Sequence, residues 1–220
     1  MKKQILFATV VLCTLVAIPA SAQRYYGQQP VPRYGRSYIM PNTYYGFRLG
    51  VMASKVTSDD RYLDGSDTKA GLNVGAVVGV QLTPRAPLYF ETGLSYSEKG
   101  GKGNFEGNKF TYNLNYIELP LVLKYNFYVD RDISVQPFAG GYLACGVGGK
   151  IKDFGNREAF NSFNDHNFKR FDGGIRIGCG AQFNLLYLEL GYDFGLANVC
   201  DDNFETSRNG AFFANIGVNF

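Results

Sequence analysis

Tryptophan is absent from the 220 residues, histidine occurs once, and neither sign of charge dominates. A lone histidine, His166, and no Cys/His pair at ligand spacing leave nothing from which to build a zinc site. The scattered aspartates lack the order of a Ca²⁺-binding loop. Lysine and arginine total 22 against 19 aspartate and glutamate. Two of the lysines, Lys2 and Lys3, belong to a leader, so the remaining chain is close to neutral and offers no electrostatic case for nucleic acid. The cysteines form no framework either. Beyond Cys13 of the leader there are three, Cys145, Cys179 and Cys200, and an odd number cannot all pair within one chain. Buried, inert thiols are the expectation. No cofactor motif is present.

The leader is Met1 to Ala22: two lysines, an apolar run from Ile5 to Ile18, then Ala20-Ser21-Ala22. This is the pattern of a secretory signal peptide, expected to be cleaved after Ala22. Its apolar run is too short to span a bilayer as a helix. Residues 23–43 hold Pro30, Pro32 and Pro41, four tyrosines and three arginines with no acid. Such a segment is expected to be an extended or disordered periplasmic tail. The third region is 44–220.

What is abundant there is glycine, tyrosine and phenylalanine, 27, 16 and 18 in the whole chain, together with a period of two. The last stretch shows it best. Phe212, Ala214, Ile216, Val218 and Phe220 alternate with Phe213, Asn215, Gly217 and Asn219, the signature of a strand with one apolar and one mostly polar face. Seven comparable segments precede it: 44–56, 69–83, 88–98, 110–127, 133–149, 168–183 and 186–196. The connections alternate long and short. Pro84 to Pro87, Tyr128 to Asp132 and Asn184-Leu185 read as tight turns, and the Gly-rich 99–109 and the polar 150–167 read as loops. Pro120 and Pro137 each remove a ladder hydrogen bond, so a bulge or strained pairing is expected near them.

Eight strands with alternating loop lengths predict an antiparallel up-and-down transmembrane β-barrel. In a bilayer, closure is required because no water satisfies an open sheet edge. A mean hydropathy near zero is compatible with this, since the two faces cancel in an average. Short turns and both termini are expected on the periplasmic side. Arg48, Glu91, Glu118, Lys124, Arg176, Glu189 and Asp193 all fall opposite the Leu/Val/Ile/Phe rows. A charge facing lipid at mid-membrane would cost roughly 2–4 kcal/mol for each Arg or Lys. These seven are therefore expected to point inward and to pair in a lumen only wide enough for side chains. The same carboxylates could supply acid/base pairs, but basic partners on the same face favour structural pairing, and no catalytic residue is assigned. Ser162, Asp165 and His166 share a loop without the spatial logic of a triad.

The blocks YIELPLVLKYNF (116–127), PFAGGYLACGVGGK (137–150), FDGGIRIGCGAQF (171–183) and LYLELGYDFGLAN (186–198) resemble the small PorT-like outer-membrane β-barrels of Bacteroidetes. The resemblance covers about 44–220 and implies an outer-membrane location. It also implies that the barrel-assembly machinery reads the terminal aromatic, Phe220, as an assembly signal. Its implication for function is coarse: a plugged barrel embedded in outer-membrane lipid with a structural or surface-interaction role, or an accessory part of protein secretion or transport, with a surface or periplasmic protein as partner. A soluble lipocalin-like carrier would need the same strands with their faces reversed. An outer-membrane lipid hydrolase would need His166 in a working site.

Overall fold

The computed structural model describes residues 41–58, 65–105, 108–130, 132–152, 158–163, 168–199 and 207–220. The signal peptide, nearly all of the tail, Asp165, His166 and Cys200 lie outside the described residues. In chain order the strands are β1 (Thr43–Ser58), β2 (Gly65–Thr83), β3 (Ala86–Phe105), β4 (Asn108–Tyr125), β5 (Phe127–Tyr128), β6 (Ile133–Gly148), β7 (Lys150–Lys152), β8 (Phe160–Asn161), β9 (Phe171–Phe183), β10 (Leu186–Gly195) and β11 (Ser207–Asn219). Eight are long, and β5, β7 and β8 are short additions to them.

The long strands are hydrogen-bonded in the order β6, β9, β10, β11, β1, β2, β3, β4, and β4 pairs back onto β6. The sheet is thus a closed antiparallel barrel. The chain's first and last strands meet without a register shift from Gly46 opposite Asn219 to Ser58 opposite Ser207, which leaves neither with an open edge. Beyond that ladder, Tyr45 and Phe220 exchange two backbone hydrogen bonds of 2.9 Å. Short turns join the strands at Pro84–Arg85 and Asn184–Leu185. Asn184 sits at φ 51°, a left-handed conformation that asparagine tolerates better than most side chains.

Alternation places the faces. On β11 Phe212, Ile216 and Val218 are 42–49% exposed, whereas Phe213 is 1% and Asn219 0% exposed. Phe47, Leu49, Val51, Leu188 and Leu190 likewise face outward. A lipocalin-like carrier has the opposite arrangement, so the outward apolar rows exclude that reading. Among the described residues no helix is long and apolar enough to cross a membrane, which bears on helices alone; here strands of 10 to 20 residues do the crossing.

Three local expectations are corrected, and the prolines refine a fourth. The Gly-rich 99–109 is not a loop: β3 runs to Phe105 and β4 starts at Asn108, paired from Lys99 opposite Leu114 to Phe105 opposite Asn108. Glycine here serves close approach of strands rather than disorder. Gly100 lies at φ 138° and Gly149 at φ 148°, and a Cβ on them would collide with the carbonyl oxygens of Tyr112 and Asn113. Gly100 thus lets β3 pass close to β4 in unbroken register, and near Gly149 the β4–β6 pairing shifts by one residue between Asn115 and Tyr116. The polar stretch 150–167 is likewise partly strand: β7 pairs with β4 and with β8.

At the prolines the outcome is interrupted pairing without a bulge. Pairing of β3 with β4 skips Pro120, from Thr92–Leu121 to Ser95–Glu118, and resumes in the same register. Pairing of β4 and β5 with β6 likewise skips the Pro137 position between Lys124–Phe138 and Phe127–Val135. A missing N–H opens a ladder locally, and intact pairing on both sides holds the register. Finally, Cys145 and Cys179 are free and exposed on the outward face. They share their odd-numbered rows with Leu143, Ile175 and Ile177, so alternation turns them toward lipid rather than into the core.

Candidate functional site

The lumen is filled in layers. At the short-turn end an amide belt closes it: Gln136 Nε2 donates to Ser134 Oγ (3.1 Å) and Gln182 Oε1 (3.2 Å), and Asn219 Nδ2 donates to the same Gln182 oxygen at 2.7 Å.

Above the belt lies a first ionic cluster. Lys124 Nζ is 2.8 Å from Glu91 Oε2, and Arg48 Nη2 is 3.4 Å from the same oxygen. Tyr44 donates its hydroxyl to Glu91 at 2.6 Å, and Lys124 donates to the Tyr187 hydroxyl at 2.8 Å. The Arg48 guanidinium stacks over the Tyr187 ring at 4.0 Å, with Nε 3.9 Å from Glu189. Asn215 donates to Glu189 at 2.8 Å. Met52, Val122, Phe138, Ala211 and Phe213 form an apolar layer of the lumen.

The second ionic cluster joins Lys99, Glu118, Arg176 and Asp193. Arg176 and Asp193 face each other across β9 and β10, and the guanidinium grips both carboxylate oxygens, Nε to Oδ1 at 2.6 Å and Nη2 to Oδ2 at 2.7 Å. This bidentate geometry is the strongest an Arg–carboxylate pair adopts. Arg176 Nη2 also lies 2.8 Å from Glu118, and Lys99 Nζ lies 2.6 Å from Glu118 and 3.2 Å from Asp193. Next to it Asp172 accepts from Asn209 Nδ2 (2.9 Å) and from the Gly173 amide (2.7 Å). Val56, Phe110, Tyr112, Leu114, Ile151, Phe163, Phe168 and Val199 belong to one buried, largely aromatic cluster that caps the far end.

The seven charged residues read from the sequence thus all line the lumen, and the structure brings them together in two groups rather than one. The sequence reading left three cations against four carboxylates. Lys99, placed there in a loop, is the missing fourth cation: it is fully buried, and each cluster of two cations and two carboxylates is neutral. Asp172, Tyr44, Tyr142 and Tyr187 join the charged residues in the lumen. The signal was present, since period two carried past Glu98 puts Lys99 on the inward face, but glycine density masked it.

These groups are shielded from bulk water and engaged with one another. A lumenal cavity beside Arg48, Glu91 and Glu189 measures ≈ 30 Å³, room for about one water. Among the described residues no group of three or more His, Cys, Asp or Glu could hold a metal ion. Ser162 is buried, and its hydroxyl donates to the Asn113 carbonyl oxygen at 2.8 Å.

In fold the chain is similar to several solved barrels. Neisserial surface protein A is 16% identical, with 80% of this chain and 97% of that one covered and a TM-score of 0.49. A major outer membrane protein of Thermus thermophilus is 15% identical over 80% and 99%, TM-score 0.44. Ail, the attachment invasion locus protein of Yersinia pestis, solved with a heparin analogue, is 14% identical over 82% and 100%, TM-score 0.43. No curated protein matches the chain. Residues 37–201, most of the chain and all of the long strands but β11, match the model of the outer membrane protein beta-barrel domain, and the chain belongs to that family of outer-membrane barrels.

Proposed function

We propose that the protein is a plugged, poorly conducting outer-membrane barrel that acts as a surface-interaction scaffold through the strands and loops at its long-loop end. The observation that carries this reading is the filled lumen: among the described residues an amide belt, two ionic clusters and an aromatic cap occupy it in layers. In this reading the short turns and both termini are periplasmic, the surrounding lipid and the barrel-assembly machinery are the general partners, and Phe220 is read during assembly. The four sequence blocks favour placing it among the PorT-like barrels of Bacteroidetes. No chemistry is assigned to it.

Two measurements test the proposal. In planar bilayers the protein should give no large steady conductance, and a stable open pore would overturn the plugged reading. Protease added to intact cells should cut within 150–167; cuts seen only after lysis would reverse the orientation.

A further inference from the structure

Beside Gly148 and Gly149 an open trough of about 550 Å³ lies on the outer wall over β3, β4 and β7. Its lining is rich in hydrogen-bond donors. Lys150 and Lys152 are exposed along it, Asn115 and Asn161 line it with side-chain amides, and Asn113 Nδ2 donates to the Lys150 carbonyl oxygen at 3.1 Å, which fixes β7 against β4. Lys69 reaches it from beneath β3: the side chain is buried, Nζ donates to the Lys99 carbonyl oxygen at 3.3 Å, and its Cδ lies 3.2 Å from where a Gly100 Cβ would stand. Lys102 and Lys152 flank Thr111 in one cross-strand row. The lining carboxylate, Glu98, is already engaged by the Leu72 amide (3.2 Å) and the Tyr96 hydroxyl (3.3 Å). The trough therefore presents an excess of positive charge.

Its height on the barrel identifies the kind of ligand. On β4 the outward residues Leu123, Leu121, Leu119 and Ile117 give way to Asn115, Asn113 and Thr111; on β3 Leu94 and Tyr96 give way to Glu98 and Lys102. This is where an apolar band ends and lipid headgroups begin. A soluble anion would have no use for the apolar wall directly below.

We propose that the trough binds the phosphorylated headgroup of an anionic glycolipid in the outer leaflet, with the acyl chains lying along Tyr96 and Ile117. The outer-leaflet placement rests on the orientation given above; binding itself does not, so the two fail separately.

The test uses the full folded barrel in detergent micelles, with lipid A carrying both phosphates as the probe and dephosphorylated lipid A as its partner. Lys150→Gln/Lys152→Gln should weaken retention of the phosphorylated form by about tenfold or more, as expected for loss of two surface cations facing an anionic lipid. Lys55→Gln/Arg208→Gln, exposed on β1 and β11 away from the trough, should leave it unchanged. Dephosphorylated lipid A should bind the natural protein as weakly as phosphorylated lipid A binds the trough variant. Unchanged retention by that variant, or equal retention of the two lipids, would overturn the proposal. So would displacement of the lipid by excess inorganic phosphate alone, which would identify the ligand as a free anion. Both variants alter exposed side chains, and an unchanged gel shift on heating would show that the barrel is intact.

Discussion

Replacing Lys99 with methionine removes one ammonium from the second lumenal cluster while nearly preserving the side chain's length. Its Nζ lies 2.6 Å from Glu118 and 3.2 Å from Asp193 with no solvent exposure. Without it, Arg176 alone must balance two buried carboxylates. Breaking a buried pair on one side costs about 3–5 kcal/mol, because the remaining charge stays desolvated; at 1.4 kcal/mol per tenfold, that is at least roughly a hundredfold in the unfolding equilibrium. Lys102, three residues on and exposed, supplies the comparison: Lys102→Met should change stability by less than about 1 kcal/mol. Equilibrium unfolding in urea in the presence of lipid vesicles, followed by tyrosine fluorescence or circular dichroism, measures both. Adding Glu118→Gln to Lys99→Met should cost less than the two single changes together, with a coupling of about 0.5–3 kcal/mol. Equal, small effects at residues 99 and 102 would return Lys99 to a solvated loop and refute the four-membered cluster.

Other consequences can be checked alongside. Gly100→Ala should lower folded yield through both its φ of 138° and the collision with the Tyr112 carbonyl; wild-type yield on a heat-modifiability gel would rule out a required glycine. Deleting Phe220 removes two backbone hydrogen bonds to Tyr45 and ring contacts with Tyr45 and Phe47, so closure of β1 on β11 should suffer and assembly yield fall; a normal yield would argue against a role in assembly. Cys145 and Cys179 face outward, so in vesicles they should resist a membrane-impermeant maleimide and react with a lipophilic one. Rapid labelling by the impermeant reagent would place them outside the bilayer.

Much of the barrel is legible because a half-buried strand repeats every two residues. On β4, Ile117, Leu119, Leu121 and Leu123 oppose Tyr116, Glu118, Val122 and Lys124, and this short-range pattern assigns each side chain to a face without any partner strand. The same alternation showed that Arg48, Glu118 and Arg176 could not face lipid. Glycine and proline were harder to read because each has two opposite meanings. Gly100 and Gly101 suggest a loop by composition but continue a strand, and at Gly100 the Tyr112 carbonyl approaches too closely for a Cβ. Pro120 and Pro137 allow either a bulge or strained pairing, and they interrupt a ladder whose register is held on both sides. Composition favours burying Cys145 and Cys179, whereas the alternation of their rows turns both outward.

By itself the sequence determined the strands, the facing of their side chains and the need for closure, all of which follow from local periodicity and the cost of unpaired backbone in lipid. Only the tertiary structure decided which charges meet. Lys99 of β3, Glu118 of β4, and Arg176 and Asp193 of β9 and β10 come from strands far apart in the chain, and their pairing depends on register and shear around the whole ring. The split into two neutral clusters, the aromatic cap and the outer trough beside Gly148 and Gly149 are likewise properties of the closed wall, because no single strand carries the geometry that makes them.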